Sequence, residues 1–329
     1  MNPKITIKEL ASFMQINHRI LLRRLFDSKL DYFKQRSNII LPYASVRDLL
    51  ELNMQSKCVS FQIVKGGTGK TSIANAFAIK ANLYGLKVLC IDLDQQGNLT
   101  QALGVNAENS PVMIDVLAEG YPLSEAIINV SEGLDVIGSR IENALIDDVI
   151  KLKNYKINEV YKNIINQLKQ EYDLIVIDCP PSLGKSVAAV TLAVDDVIAP
   201  VVADHFALSG LKTTINAVKE LQAQYKTKIK LNILFNKFEQ RSLLSQDTIH
   251  ALYNNPQYAS CLLDSVVRLA PEFMQSIAHG QSIFDNPKPS TAKSDIDALL
   301  REVLGIGARL TTVSLGLKRT TTKLEEALI

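Results

Sequence analysis

Lys65, Gly66, Gly67, Thr68, Gly69, Lys70 and Thr71 form one run, followed by Ser72, between an apolar stretch from Cys58 to Val64 and a helix-like one from Thr71 to Tyr84. Residue types in this order cradle phosphate. The glycines let backbone N–H groups turn toward an anion, and the N-terminus of the next helix adds partial positive charge. The Lys70 ammonium reaches terminal phosphates, and the Thr71 hydroxyl can ligate Mg²⁺. The common form of the loop asks for glycine at position 64, where this chain has Val64. A second lysine, Lys65, stands just before the glycine pair.

Carboxylates complete the chemistry. The segment Lys87 to Asp94 reads as a buried strand ending in Asp92 and Asp94, and Tyr172 to Asp178 as another ending in Asp178. Mg²⁺ on a nucleotide keeps several waters that carboxylates orient, and a hydrolase needs one group to place the attacking water. Each acid taken singly reads equally well as a helix cap or turn acid.

The elements that position these groups follow from hydrophobic patterning. Short apolar runs at Cys58 to Val64, Lys87 to Leu93, Leu134 to Ile137, Leu174 to Asp178, Val197 to Val201, Ile229 to Phe235 and Leu262 to Val267 alternate with helical segments, the last being Ser294 to Leu304. Near-continuous apolar strands are buried on both faces. The expected fold is α/β, a P-loop NTPase with a mostly parallel sheet and helices on both faces, its ligand at the carboxyl ends of the strands.

Ahead of it, residues 1–57 carry ten Lys/Arg against five Asp/Glu, leaving 26 against 29 for residues 58–329, so the two parts are +5 and −3. A basic module on a near-neutral body suits a polyanion partner, and equally a solvated basic face. Thr6 to Glu9 has the form of a capping box, and Asn17 is an N-cap candidate for a helix from His18 to Phe26 that separates Arg19 and Arg23 from Leu21 and Leu25. Tyr32 to Lys34 and Ile39 to Leu41 flank a basic tip containing Arg36, and Ser45 opens another helix. The sequence resembles a small, mainly helical winged helix-turn-helix of the MerR or excisionase kind, with Arg19, Arg23, Arg24, Lys34 and Arg36 in the elements that meet a duplex. A three-helix packing or dimerisation module shares the apolar pattern.

The body as a whole is that of an ordinary globule, 47% hydrophobic and 21% charged over 329 residues. Its four cysteines form no C-x-x-C pair and read as small residues of a reducing compartment; the four histidines are isolated and suggest no metal spacing. With no secretory leader at Met1 to Lys4 and no apolar run near the ~18 residues that span a bilayer, the expected location is cytoplasmic. After Gly305-Ile306-Gly307, the tail (residues 305–329) carries Leu317, Leu324 and Leu328 beside Lys318, Arg319 and Lys323, a weak amphipathic helix or a frayed end.

Four motifs in order, Lys65 to Thr71, Asp92-Leu93-Asp94-Gln95-Gln96-Gly97-Asn98, Asp178-Cys179-Pro180-Pro181-Ser182 and Val267-Arg268-Leu269-Ala270, resemble the ParA family of deviant Walker ATPases over residues 58–304. The resemblance implies ATP and Mg²⁺ as cofactors, with Gly66 to Ser72 around the phosphates. Lys65 matches the signature lysine that crosses an ATP-sandwiched homodimer, and Lys70 the loop lysine. Thr71 matches the metal ligand, with Asp92 and Asp178 as acids around Mg²⁺ and its waters. Asp94 matches the residue that orients the hydrolytic water. Asn236, after the strand, sits where the family contacts adenine, with Pro271 near the same pocket.

The same resemblance implies nonspecific DNA binding, for which Lys212, Lys237, Arg241 and Arg268 are candidate surface cations, a nucleoid-associated location, and a ParB-like centromere-binding partner that stimulates hydrolysis. The N-terminal module implies a specific operator and autorepression. Gln95 stands where the family has proline, and Thr68 where it has valine; neither change removes a phosphate or metal ligand. Two other readings use the same motifs: a transcriptional regulator with the ATPase as nucleotide sensor, and a MinD-like membrane-positioning ATPase using the tail.

Overall fold

The computed structural model describes residues 5–35, 38–50, 55–204, 207–278, 281–286 and 288–306. Arg36 and the amphipathic pattern of the tail beyond residue 306 lie outside the described residues.

The first fifty residues form β1 (Ile5–Thr6), α1 (Ile7–Phe13), α2 (His18–Asp27), β2 (Phe33–Gln35), β3 (Asn38–Leu41) and α3 (Tyr43–Leu50). Each start has a local cause. Thr6 Oγ1 accepts from the Glu9 N–H while the Thr6 N–H donates to the Glu9 carboxylate at 2.9 Å, closing the capping box. Asn17 Oδ1 accepts from the Arg19 N–H, so α2 begins where the cap residue predicts. α2 buries Leu21 and Leu25 and exposes Arg19 and Arg23. The three short strands pair antiparallel in the order β1-β3-β2.

The rest of the chain builds one eight-stranded sheet. In chain order its elements are β4 (Lys57–Phe61), α4 (Lys70–Leu83), β5 (Val88–Asp92), α5 (Asn98–Ala102), α6 (Met113–Glu119), α7 (Leu123–Ala126), β6 (Ile127–Ser131) and β7 (Leu134–Ile137). A 3₁₀ turn at Ile141–Leu145 then leads to α8 (Ile146–Leu152), α9 (Val160–Leu168), β8 (Leu174–Asp178), α10 (Lys185–Ala193), β9 (Asp196–Val202) and α11 (Ala207–Tyr225). The chain continues through β10 (Leu231–Phe238), α12 (Leu243–Asn254), α13 (Pro256–Ala259), β11 (Leu262–Arg268), α14 (Pro271–Ala278) and α15 (Thr291–Leu304). The strand order is β11-β10-β9-β4-β8-β5-β7-β6, parallel except for β6, which runs antiparallel to β7 at the edge. Among the described residues no helix is long and apolar enough to cross a membrane.

Alternation along the strands sorts side chains to two layers. Val59, Phe61, Val88, Cys90, Val176, Ile198 and Leu234 face a core shared with α4 and α15. Their neighbours Cys58, Leu89, Ile91, Ile175 and Ile177 face α6, α8, α9 and α10. Val197, Ala199, Ile233 and Phe235 meet α11 and α12 on that second face. α4, which is buried along nearly its whole length, meets the sheet through an edge-to-face Phe61–Phe77 pair at 5.6 Å.

The first core layer also contains Leu10, Phe13, Leu21, Leu25, Val46 and Leu49, so the N-terminal elements and the sheet domain share one apolar cluster. Phe13 stacks on Tyr84, at the end of α4, with ring centroids 3.7 Å apart and planes 10° off parallel. Arg47 in α3 binds the Asp173 carboxylate and donates to the Gly85 carbonyl at 3.0 Å.

Two boundaries differ from the sequence expectation. β6 escapes it because its residues are only half-buried, as suits an edge strand, and so lack a continuous apolar run. β10 continues past Phe235 because Asn236 still pairs with Val202 of β9; Asn236 lies within the strand rather than after it.

Candidate nucleotide site

The phosphate loop joins β4 to α4 at the carboxyl edge of the sheet. Gly67 and Gly69 have φ of +74° and +86°, the left-handed region that only glycine enters without strain. A Cβ on Gly66 or Gly67 meets open space, whereas one on Gly69 would lie 2.5 Å from Asn236 Nδ2. The N-cap of α4 is Gly69, which has no side chain to cap the first turn, and this suits N-terminal donors kept for an anion. Lys70 is buried, and its Nζ donates to the Lys65 carbonyl at 3.3 Å. Burial lowers its pKa, opposed by the charges of Asp178 and Asp94. Ser72 follows Thr71 in the first turn. Thr68 is buried, and its Oγ1 has no hydrogen-bond partner among the described residues, so it serves the loop through its backbone.

Asp92 and Asp178 end adjacent strands directly opposite each other. Thr71 Oγ1 donates to Asp178 Oδ2 at 2.6 Å, while Asp178 Oδ1 is buried without a hydrogen-bond partner among the described residues. Burial, then the charge of Asp92, pushes the Asp178 pKa up to about 8, against the Thr71 bond and Lys70. Asp92 is held by its neighbours through both oxygens. Its Oδ2 accepts from the Thr100 N–H and hydroxyl at 2.9 and 2.7 Å, and its Oδ1 accepts from the Asp94 N–H at 3.2 Å. Both oxygens thus tie α5 and the Asp94 turn to β5. Burial raises its pKa to about 6, against those same hydrogen bonds.

Asp94 is buried, and its Oδ1 accepts from the Gln96 N–H at 3.1 Å. Its carbonyl accepts from Ser139 Oγ at 2.7 Å, and Asn143 Nδ2 donates to that same Oγ at 2.8 Å. Ser139 and Asn143 therefore position the Asp94 turn; sequence reasoning missed them because they lie more than forty residues away in no recognisable motif.

Lys65 Nζ pairs with Asp204, between β9 and α11. At the other side, Asn236 Nδ2 donates to the Thr68 carbonyl at 2.7 Å and Lys237 Nζ to the Gly67 carbonyl at 3.0 Å. Lys237, expected among DNA-facing cations, thus reaches the phosphate loop; its place beside Asn236 was the available signal. Pro271 opens α14 and is exposed. Arg268 is held by Asp295 through Nε at 2.9 Å and Nη2 at 2.5 Å, so this cation is engaged in a structural pair between β11 and α15 rather than presented to solvent alone. Lys212 and Arg241 are exposed, as are Arg19, Arg23, Arg24 and Lys34 on α2 and β2; Arg23 pairs with Asp27 at 3.4 Å.

The donor set fits a magnesium nucleotide. Among the described residues no group of three or more His, Cys, Asp or Glu could hold a metal by itself. What converges is one hydroxyl, Thr71, held by a carboxylate that has an unpartnered oxygen. That suits a Mg²⁺ bound largely through waters and phosphate oxygens, with Thr71 as the protein ligand and Asp178 on its waters. Bound there, the ion would neutralise charge on the transferred phosphoryl group.

Comparison with known proteins agrees with this geometry. A family model described as an AAA domain matches residues 56–232. The cell division protein PomZ of Myxococcus xanthus is 30% identical over 246 residues, covering 73% of this chain and 75% of PomZ. The sporulation initiation inhibitor protein Soj of Bacillus subtilis is 30% identical over 258 residues, covering 76% of this chain and 99% of Soj. Among solved structures, a Cyanothece McdA variant in complex with ATP is similar in fold, with a TM-score of 0.69 and 19% identity over 78% of this chain and 100% of McdA.

Proposed function

The chain belongs to the ParA/Soj family of P-loop ATPases, and on that footing we propose that it is a DNA-partition switch driven by binding and slow hydrolysis of Mg-ATP. Lys70 and the loop amides bind the phosphates, Thr71 and Asp178 hold the ion and its waters, and Asp94 orients the attacking water. ATP joins two subunits, the dimer binds DNA without sequence preference, and a ParB-like centromere-binding partner stimulates hydrolysis. The N-terminal module adds operator binding.

The observation that carries this reading is the position of Lys65. Its ammonium is paired with Asp204, between β9 and α11, and in this reading it leaves that carboxylate to reach the phosphates bound by a second subunit. Phosphoryl transfer depends on positioning and charge neutralisation, and a site short of one cation stays slow until a partner supplies it. Asp94 supports an enzyme rather than a pure sensor, because a buried carboxylate near enough for its charge to act on Lys70 suits a group that places an attacking water, which a sensor does not need.

The test is steady-state ATPase with and without nonspecific duplex DNA, for the wild type, Asp94→Ala and Lys65→Ala. The expected result is weak activity raised by DNA and lowered about a hundredfold or more by Asp94→Ala. ATP-dependent DNA binding should survive in Asp94→Ala and fail in Lys65→Ala. Absence of hydrolysis, with operator binding indifferent to both changes, would favour the nucleotide-sensing regulator.

A further inference from the structure

A pocket of about 330 Å³ opens between α10 and α11. Its floor is Gln62, Ile63 and Val64, the residues that lead from β4 into Lys65. Val187 of α10 stands on one side, Val218 and Leu221 of α11 on the other, and the exposed Leu183 at the rim. Well-packed interiors leave few voids larger than a water molecule, whereas sites for small molecules run to roughly 300–1,000 Å³ with mostly apolar walls. Size and lining therefore fit a ligand site better than a packing defect.

One buried polar group in the pocket is only partly used. Gln62 is 3% exposed; its Oε1 accepts from Thr191 Oγ1 at 3.1 Å, and its Nε2 donates to Ser60 Oγ at 3.2 Å. An amide nitrogen carries two N–H groups, and the second has no acceptor among the described residues. A buried donor left unmatched is costly, and a ligand that brings an acceptor relieves it. The charged residue of the lining is Glu220, exposed on α11, and its carboxylate disfavours an anion.

The same helix that walls the pocket holds the Lys65 pair. Thr214 Oγ1 accepts from the Val64 N–H at 3.3 Å and donates to the Gly210 carbonyl at 3.0 Å. A Cβ on Gly210 would lie 3.3 Å from Lys65 Cβ, so the first turn of α11 rests on Lys65, and Asp204, just ahead of α11, binds its ammonium. A ligand that fits between α10 and α11 as they stand favours this arrangement over one in which α11 has shifted, by the difference in its affinity for the two.

We propose that this pocket binds a small neutral molecule, apolar but for one hydrogen-bond acceptor that meets Gln62, and that its occupancy holds Lys65 at Asp204. The binding stands on the pocket alone. The effect on Lys65 rests on the Mg-ATP reading, in which that lysine leaves Asp204 for a second subunit, so the ligand is an inhibitor of DNA-stimulated hydrolysis.

The experiment titrates the full chain with benzophenone, which carries one carbonyl, and with diphenylmethane, which has nearly the same shape without it, following the methyl resonances of Ile63, Val187 and Leu221. The wild type should bind both, benzophenone about tenfold more tightly. Gln62→Leu should lose that preference and keep diphenylmethane; in this variant the Thr191 hydroxyl retains its bond to the Val187 carbonyl at 2.7 Å. Ala217→Phe, which fills the pocket, should bind neither, and thermal melts check that both variants fold. Irradiated benzophenone attaches to the C–H bonds it touches, and the labelled peptides should come from α10 and α11. Saturating benzophenone should lower the DNA-stimulated ATPase rate of the wild type severalfold and have no effect on Ala217→Phe. Failure of both probes to bind, labelling elsewhere, or a preference that survives in Gln62→Leu would overturn the site. Binding as expected with an unchanged ATPase rate would overturn the link to Lys65. A wild type that hydrolyses no ATP would sink the Mg-ATP reading and the Lys65 link with it, while the titrations would still decide the ligand site.

Discussion

Asp178 and Asp92 sit opposite each other at the ends of two buried strands, and their burial has a consequence for stability. Both have folded-state pKa values raised above the usual carboxylate range, to about 8 and about 6. The native state therefore binds more protons than the unfolded chain above pH ~4. The stability these groups contribute is complete below that point and is lost as pH rises through 6 and then 8. Without nucleotide and Mg²⁺, the protein should thus become less stable from pH 5 to pH 8.5, and Asp178→Asn, which can still accept from Thr71, should flatten that slope and raise the midpoint at the alkaline end. Denaturant melts across the range check it; a variant with the wild-type slope would place the proton elsewhere. At this scale the sequence located the loop between β4 and α4, with Lys70 and Thr71 in the first turn of α4 and Lys65 just before the glycines, because these residue types stand at fixed offsets. It was not legible where a role depends on a distant partner. The bonds of Asp92 to Thr100 and of Lys237 to the Gly67 carbonyl join residues that no local motif links.

α2 keeps its apolar and basic residues on separate faces, Leu21 and Leu25 in the core and Arg19 and Arg23 in solvent. If this helix reads an operator, changing Arg19, Arg23 and Arg24 together to Ala should weaken operator binding and reduce the salt slope by about one for each phosphate no longer neutralised. The fold should be unaffected, because none of the three contributes to the apolar cluster. Operator binding retained at wild-type strength in this triple variant would sink the role. The ATPase rate is the control and should stay unchanged. Elements as a class were readable where one physical signal dominates. The capping box at Thr6 and the cap at Asn17 located α1 and α2, and the apolar runs located the seven parallel strands. β6 and the continuation of β10 were hidden because each is decided by pairing with a neighbour, β7 in one case and β9 in the other, and no local propensity encodes that.

At the scale of the whole molecule, the N-terminal elements and the nucleotide site are joined by a single helix. The first residues of α4, Lys70 and Thr71, belong to the phosphate site, and about 21 Å along, where the helix ends, Tyr84 stacks on Phe13 of α1. The contact is locked from a third direction by α15. The Arg301 guanidinium lies 5.1 Å from the Phe13 ring and 5.9 Å from that of Tyr84, and Arg301 donates to the Phe13 carbonyl at 3.3 Å and to Asp297 at 2.8 Å. The Lys80 ammonium sits 4.3 Å over the Tyr84 ring. Truncating a buried phenylalanine costs about 3–5 kcal/mol, and here the void opens between two parts of the chain. Phe13→Ala should therefore reduce hydrogen-exchange protection both in α1 and α2 and in the second half of α4, and lower the midpoint of one shared thermal transition. An N-terminal module tethered independently would respond differently, losing protection in α1 and α2 while α4 keeps its wild-type exchange. A shared response would show that the N-terminal elements and α4 open together, the packing through which nucleotide binding at one end of α4 could bias α1 and α2 at the other.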